Sequence, residues 1–254
     1  MTESVKVFTG SIPQIYDTYL EPLIFETYAD DISERTAALG PRIVLETAAG
    51  TGVVTRALAP RLAADARYVV TDLNHAMLDH AANMQGMDDR IAWRQADALQ
   101  MPFEDDPFDA VVCHFAVMFF PDEVAGYAEA LRVLKPGGSF IFNVWDAIEA
   151  NEFSQVATEA AASVFPDDPP QFLARTPHGY HDVDLIRNEL AKAGFSQVSI
   201  TTLEKTSTAA SAHDAAYAYC QGTPLRNEIE SRDATLLDQV TERAAEAIAS
   251  RFGN

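Results

Sequence analysis

An apolar run, Ile43-Val44-Leu45, ends on Glu46 and breaks at once into the small-residue turn Ala48-Ala49-Gly50-Thr51-Gly52. A short apolar run bounded by such a turn reads as a buried strand. A helical pattern from about Val53 to Ala63 follows it. Strand, tight turn and helix make the first half of a βαβ unit, in which the return strand lies parallel to the first. The pattern then repeats. Tyr68-Val69-Val70-Thr71 ends at Asp72, and Asn74 reads as the N-cap of a helix that buries Met77 and Leu78. Further strands are expected near Ile91-Ala92-Trp93 and at Ala110-Val111-Val112-Cys113. Pro121, with Asp122 and Glu123 behind it, suits the opening of a helix running to Leu134. Pro136-Gly137-Gly138 turns the chain into a fifth strand, Ser139 to Val144. The alternation predicts an α/β chain: a doubly wound, mostly parallel sheet with helices on both faces.

After Trp145 the alternation stops. Residues 151–181 hold one helical piece and then the proline-rich stretch Pro166-Asp167-Asp168-Pro169-Pro170. A helix resumes at Asp182, with Val183, Ile186 and Leu190 on one face and Gly194 as its stop. A strand is expected at about Val198 to Leu203, and helix from Ala212 onward, including a long polar helix over 232–251. The organisation predicted is a helical N-terminal arm (1–40), a Rossmann-like core (41–150), and an insertion, lid and C-terminal remainder of the same domain (151–254).

The 254 residues carry 38 acids against 18 bases, a formal net charge of −20. That field repels phosphate backbones and anionic membrane surfaces, so a nucleic-acid partner is not expected. Cys113 and Cys220 stand in no metal-ligand spacing, which predicts no metal and fits a reducing cytoplasm. The opening residues have no basic region followed by an apolar run, and no stretch approaches the ~18 apolar residues of a membrane span.

In a doubly wound sheet, ligands bind beyond the carboxyl ends of the strands. The 48–52 turn sits at such an end, where glycines let a ligand approach the backbone and the next helix offers free N–H groups. Asp72 ends the second strand 22 residues after Gly50, and a carboxylate there accepts both hydroxyls of a ribose. That feature suits NAD and S-adenosylmethionine equally. A nicotinamide fingerprint starting at Gly50 would put glycine or alanine at 55, where Thr55 stands.

The stretch Glu46 to Gly52 resembles the first motif of class I S-adenosylmethionine-dependent methyltransferases: an acid followed by three spaced small residues. Ala48 takes the first glycine position, which would exclude a turn needing positive φ there. Ala96-Asp97-Ala98-Leu99 followed by Met101-Pro102-Phe103 resembles that family's third-strand motif. Phe108-Asp109-Ala110-Val111-Val112 and Leu131-Arg132-Val133-Leu134-Lys135-Pro136-Gly137-Gly138 complete four elements in the family's order over residues 42–146. The nearest likeness is to ubiquinone/menaquinone-type small-molecule methyltransferases. Such enzymes close their sheet with an antiparallel last strand. No segment for one is evident, so the natural chain either continues past Asn254 or lacks that strand.

The resemblance implies S-adenosylmethionine as cofactor and S-adenosylhomocysteine as product. It implies Glu46, Thr47, Ala48, Gly50, Gly52, Asp72, Leu73, Met77, Asp97, Ala98 and Phe115 as cofactor-binding residues. Asp97 would face the adenine amino group, the next backbone N–H a ring nitrogen, and Phe115 would cover the base. Tyr16, in the N-terminal arm with Tyr19 and Phe25, would offer an aromatic face to the sulfonium. His114 and His181 are the candidate catalytic bases. Met118, Phe119 and Phe120 form either an acceptor wall or plain core. His178-Gly179-Tyr180-His181 lacks the helical context and third ligand of a metal site and fits an acceptor pocket better. The expected reaction is methyl transfer to a small-molecule acceptor. The alternatives are a non-catalytic S-adenosylmethionine-binding protein and, against Thr55 and Asp97, a nicotinamide-dependent oxidoreductase.

Overall fold

The computed structural model describes residues 12–254. Residues 1–11, which include the start of the expected arm and of the expected leaderless terminus, lie outside the described residues. In chain order, Ile12–Ile15 and Tyr16–Phe25 are helical and lead into α1 (Glu26–Ala38), β1 (Ile43–Thr47), α2 (Val53–Leu58) and β2 (Arg67–Asp72). Then come α3 (His75–Gln85), β3 (Ile91–Gln95), β4 (Phe108–His114), α4 (Glu123–Val133) and β5 (Leu134–Asn143). The regular elements of the remainder are helices: α5 (Glu152–Val164), a single helical turn at Phe172–Arg175, α6 (Val183–Ala193), α7 (Ala212–Gln221), α8 (Leu225–Asp233) and α9 (Leu237–Phe252). The sequence boundaries at 40 and 150 differ from the compact units, which change over at 25/26, 144/145, 181/182 and 204/205.

The first unit, Glu26–Val144 with Asp182–Glu204, is the sheet and its helices. Its five strands are all parallel, in the order β3-β2-β1-β4-β5. Strand residues alternate between the two faces. Val44, Tyr68, Val70, Val112 and Ile141 pack on one face with Ala29 and Ile32 of α1 and Val54 and Leu58 of α2. Leu45, Val69, Val111 and Phe140 pack on the other with Ala130 and Val133 of α4. Covering both faces of central strands explains why they read as unbroken apolar runs. Helix ends follow local chemistry. Asn74 Oδ1 accepts the Ala76 and Met77 N–H groups at 3.0 and 3.4 Å, and Asp182 caps α6 in the same way. Gly194 ends α6 in the left-handed region at φ 107°.

The second unit gathers the described residues up to Phe25, Trp145–His181 and Lys205–Asn254. Helices α5, α7 and α9 pack through small residues: Ala157, Ala160 and Ala161, then Ala215, Ala216 and Ala218, then Ala244 and Ala245. Small side chains let helix axes approach closely.

Two expectations are corrected. Helix α4 starts at Glu123 with Asp122 as its N-cap, so Pro121 precedes the helix; the Asp122 carboxylate accepts the Ala125 N–H at 2.9 Å, which proline cannot match as a cap. The expected strand at about Val198 to Leu203 does not pair: the segment is irregular and belongs to no sheet. Side-chain donors take its carbonyls instead, Arg187 reaching Val198 O at 3.1 Å and the Tyr28 hydroxyl reaching Leu203 O at 3.3 Å.

Candidate functional site

The strand order reverses at β1 and β4, and the crevice beyond their carboxyl ends is where such sheets take ligands. The turn after β1 is bound to β2: Ala49 N–H donates to Thr71 O at 3.0 Å, and Thr71 Oγ1 donates to Glu46 O at 2.9 Å. Gly52 has φ 84°, and a Cβ there would lie 2.9 Å from Ala81 Cβ, so only glycine lets α3 sit against the turn. At Gly50, by contrast, an added Cβ would meet no atom within 4 Å, so the space beside the turn is open.

Ala48 is a further correction. It adopts φ 53°, the left-handed region that an alanine was expected to exclude. That conformation costs roughly 1–2 kcal/mol in a residue with a Cβ, and such strain persists where surrounding bonds over-determine it. Here the Thr71 bonds to Glu46 and Ala49 hold the backbone on either side.

Asp72 ends β2 beside the open turn. One carboxylate oxygen accepts the Gly50 N–H at 2.8 Å and the other accepts the Asn74 N–H at 2.7 Å. Burial raises its pKa from the ordinary value, against the lowering pull of those N–H bonds. The Leu73 N–H is a third donor to the carboxylate, which offers about four accepting sites, so accepting capacity remains. Leu73 O accepts Gln95 Nε2 at 2.8 Å, and Met77 is buried on the first turn of α3. After β3, Asp97 Oδ1 accepts the Leu99 N–H at 2.9 Å, and Asp97 and Ala98 are half-buried. After β4, Phe115 is buried at φ 47°, with its ring edge-on to Tyr28 at 5.4 Å. His114 Nδ1 lies 2.9 Å from Asn143 Oδ1. With Asn143 in that orientation, Nδ1 carries the proton and Nε2 the basic lone pair.

Glu46 and Thr47 lie deeper. Glu46 follows Val44 on the α2 face of β1, where its carboxylate accepts Thr55 Oγ1 at 2.6 Å and the Tyr68 hydroxyl. Burial pushes its pKa up to about 7, against the lowering pull of those two hydroxyls. Thr47 is buried with its hydroxyl 3.5 Å from Val112 O. Thr55 and Tyr68 were missed as site residues. Parallel pairing of Val44 with Tyr68 puts the tyrosine one step from Glu46 on the same face, a signal available only once the register is known.

Glu46, Thr47, Ala48, Gly50, Gly52, Asp72, Leu73, Met77, Asp97, Ala98, His114 and Phe115 all belong to the sheet unit. Met118 is buried and Phe119 and Phe120 are half-buried in the turn that follows. Tyr16 and His181 belong to the helical unit. There the Tyr16 ring stacks on Phe25 at 5.0 Å. His178 is buried, with Nδ1 2.9 Å from Asp146 O and Nε2 2.9 Å from Ser154 Oγ. Exposed His181 donates from Nδ1 to His178 O at 2.8 Å, which leaves Nε2 as its basic nitrogen. Among the described residues no cluster of three or more His, Cys, Asp or Glu is placed to hold a metal ion.

A family model described as a methyltransferase domain matches residues 44–138. A demethylmenaquinone methyltransferase of Clavibacter sepedonicus is 41% identical over 98 residues, 39% of each protein. A ubiquinone/menaquinone biosynthesis C-methyltransferase of Idiomarina loihiensis is 28% identical over 61% of this chain and 66% of that protein. The chain therefore spans about two fifths to two thirds of these relatives. A solved structure from Bacillus halodurans, assigned to the methyltransferases, aligns with a TM-score of 0.50 at 28% identity, covering 65% of this chain and 68% of that one.

Proposed function

We propose, from the premise that residues 44–138 are a class I S-adenosylmethionine-dependent methyltransferase domain, that this chain transfers a methyl group to a small-molecule acceptor by in-line displacement. The observation that carries the reading is Asp72. Its carboxylate is fixed by the Gly50 and Asn74 N–H groups, retains accepting capacity, and stands beside the open space at Gly50. The residues present fit the cofactor. Asp72 would accept the ribose hydroxyls, Asp97 the adenine amino hydrogens, the Ala98 N–H would meet a ring nitrogen, and Phe115 would cover the base.

When bound, S-adenosylmethionine supplies a methyl carbon already made electrophilic by its positive sulfur. What remains for the protein is alignment of acceptor, methyl carbon and sulfur, worth roughly 7–11 kcal/mol in favourable cases. A base adds about 10²–10⁴-fold where the acceptor must lose a proton. His114 is the preferred candidate, because it belongs to the sheet unit with the proposed cofactor residues, and Asn143, holding its Nδ1, assigns the lone pair to Nε2. His181 has the same tautomer through His178 O.

The relatives' names support a quinol-type ring as acceptor, methylated at carbon with loss of a proton. The half-buried aromatic turn Phe119-Phe120 suits a partly apolar ring. A cytoplasmic setting suits the free, buried thiols Cys113 and Cys220. Among the described residues no helix is long and apolar enough to cross a membrane.

The test is transfer of labelled methyl from S-adenosylmethionine to reduced benzoquinone and naphthoquinone headgroups. Turnover on at least one is expected, falling about 10²–10⁴-fold in His114→Ala. Cofactor binding without transfer to any quinol would contradict the acceptor class. Full turnover in both His114→Ala and His181→Ala would exclude histidine as the base.

A further inference from the structure

The loop between β3 and β4 carries Asp97 yet has little regular structure of its own. Its backbone bonds are few: Ala96 N–H donates to Asp72 O of β2 at 3.1 Å, Gln100 N–H to Asp97 O at 3.1 Å in an antiparallel bridge, and Phe103 N–H to Met101 O at 2.9 Å. Beyond that entry, from Met101 onward, the loop is fastened from outside by two side chains one turn apart on α4. Arg132 Nε donates to Glu129 Oε2 at 2.8 Å, and Nη2 donates to Glu129 Oε1 at 2.6 Å and to Met101 O at 3.1 Å. Nη1 donates to Phe103 O at 2.9 Å and to Asp105 Oδ1 at 2.8 Å. A guanidinium has five N–H donors, so these contacts use all of them.

Glu129 completes the clasp by accepting the Met101 N–H at 2.7 Å. Met101, four residues after Asp97, is thereby held at both its N–H and its C=O. The Arg132 carbonyl also accepts the Asp106 N–H at 3.1 Å. The arginine lowers the pKa of Glu129 and keeps it ionised as an acceptor. Charge-assisted, forked contacts of this kind fix direction as well as distance, and an ammonium group cannot reproduce them.

We propose that Arg132, acting with Glu129, is a positioning residue for adenine recognition, setting where the loop presents Asp97 and the Ala98 N–H. The inference rests on the reading of Asp97 as the adenine contact. A merely stabilising ion pair would, when lost, weaken every ligand alike. A positioning pair would weaken only what depends on the adenine amino group and the accepting ring nitrogen beside it, both of which differ in inosine.

Calorimetric titration with S-adenosylhomocysteine and with S-inosylhomocysteine, in which an oxo group replaces that amino group, separates the two. The unaltered protein should prefer S-adenosylhomocysteine by about tenfold or more, the scale of one charge-assisted hydrogen bond. Arg132→Lys, which keeps the charge and loses the fork, should bring that ratio towards one while affinity for the inosine compound changes little. Glu129→Gln should do the same, and provides the readout if Arg132→Lys fails to fold. An undiminished ratio, or equal weakening of both ligands, would overturn the inference. Equal affinities in the unaltered protein would overturn the reading of Asp97, and the inference with it.

Discussion

At the scale of single residues, β1 carries just before the turn a carboxylate, Glu46, that nothing in the bare motif marks as buried. Glu46 sits with Thr55 and Tyr68 among apolar neighbours, and desolvation raises its pKa from 4.5 to about 7. In the unfolded chain the group ionises at its ordinary value. Between about pH 4.5 and 7 the folded state therefore binds the extra proton, and stability falls as pH rises through that window. Above it the cost of the buried charge is fully present; below it there is none. Glu46→Gln keeps an acceptor for both hydroxyls and removes the charge. Its melting temperature is expected to exceed that of the unaltered protein at about pH 8 and to converge on it near pH 4.5. A constant offset across that range would show that burial of the charge is not the cause. The motif placed Glu46 at the site; that it lies under the turn follows from strand register, through Val44 paired with Tyr68. Ala48 misled for a related reason. Intrinsic preference argues against φ 53°, but the bonds of Thr71 to Glu46 and Ala49 decide the backbone.

At the scale of elements, the strands were legible because burial on both faces makes them continuous apolar runs, and helices α3 and α6 because Asn74, Asp182 and Gly194 mark their ends. The segment 198–203 shows where periodicity fails. Val198 and Ile200 are half-buried while Ser199 and Thr201 are exposed, a short alternation that looks like a strand. A ladder needs a neighbouring edge as well as a pattern, and here Arg187 and Tyr28 satisfy carbonyls that a strand would have offered. Hydrogen exchange distinguishes the two. Amides of 198–208 are expected to exchange orders of magnitude faster than those of β1 and β4, which lie in the middle of the sheet. Protection of 198–203 equal to that of β4 would mean that the segment is paired after all. The β3–β4 loop makes the complementary point. Its acidic run, Glu104-Asp105-Asp106, predicts only a solvated turn, and the loop's anchoring depends on Arg132 and Glu129 some thirty positions away.

At the scale of the whole molecule, the sheet unit could be derived almost in order, because each βα step is local and the motifs fall at strand ends. The helical unit could not. It is assembled from three separated stretches, and its alanine-rich helices α5, α7 and α9 carry helical propensity without saying which of them pack together. Tyr16 and His181 were legible as residue types suited to a cation and a proton, but no periodicity assigns them to a unit. The net charge of −20 suits a cationic ligand better than a polyanion, an argument about partners and not about fold. The central claim is that the cradle after β1, β2 and β3 holds S-adenosylmethionine. Calorimetric titration with S-adenosylmethionine, S-adenosylhomocysteine and NADH, repeated on Asp72→Ala and Asp97→Ala, tests it most directly. Micromolar binding of the two sulfur compounds but not NADH, weakened about tenfold or more in each variant, is the predicted result. Binding of NADH in their place, or affinities unchanged by both substitutions, would contradict it.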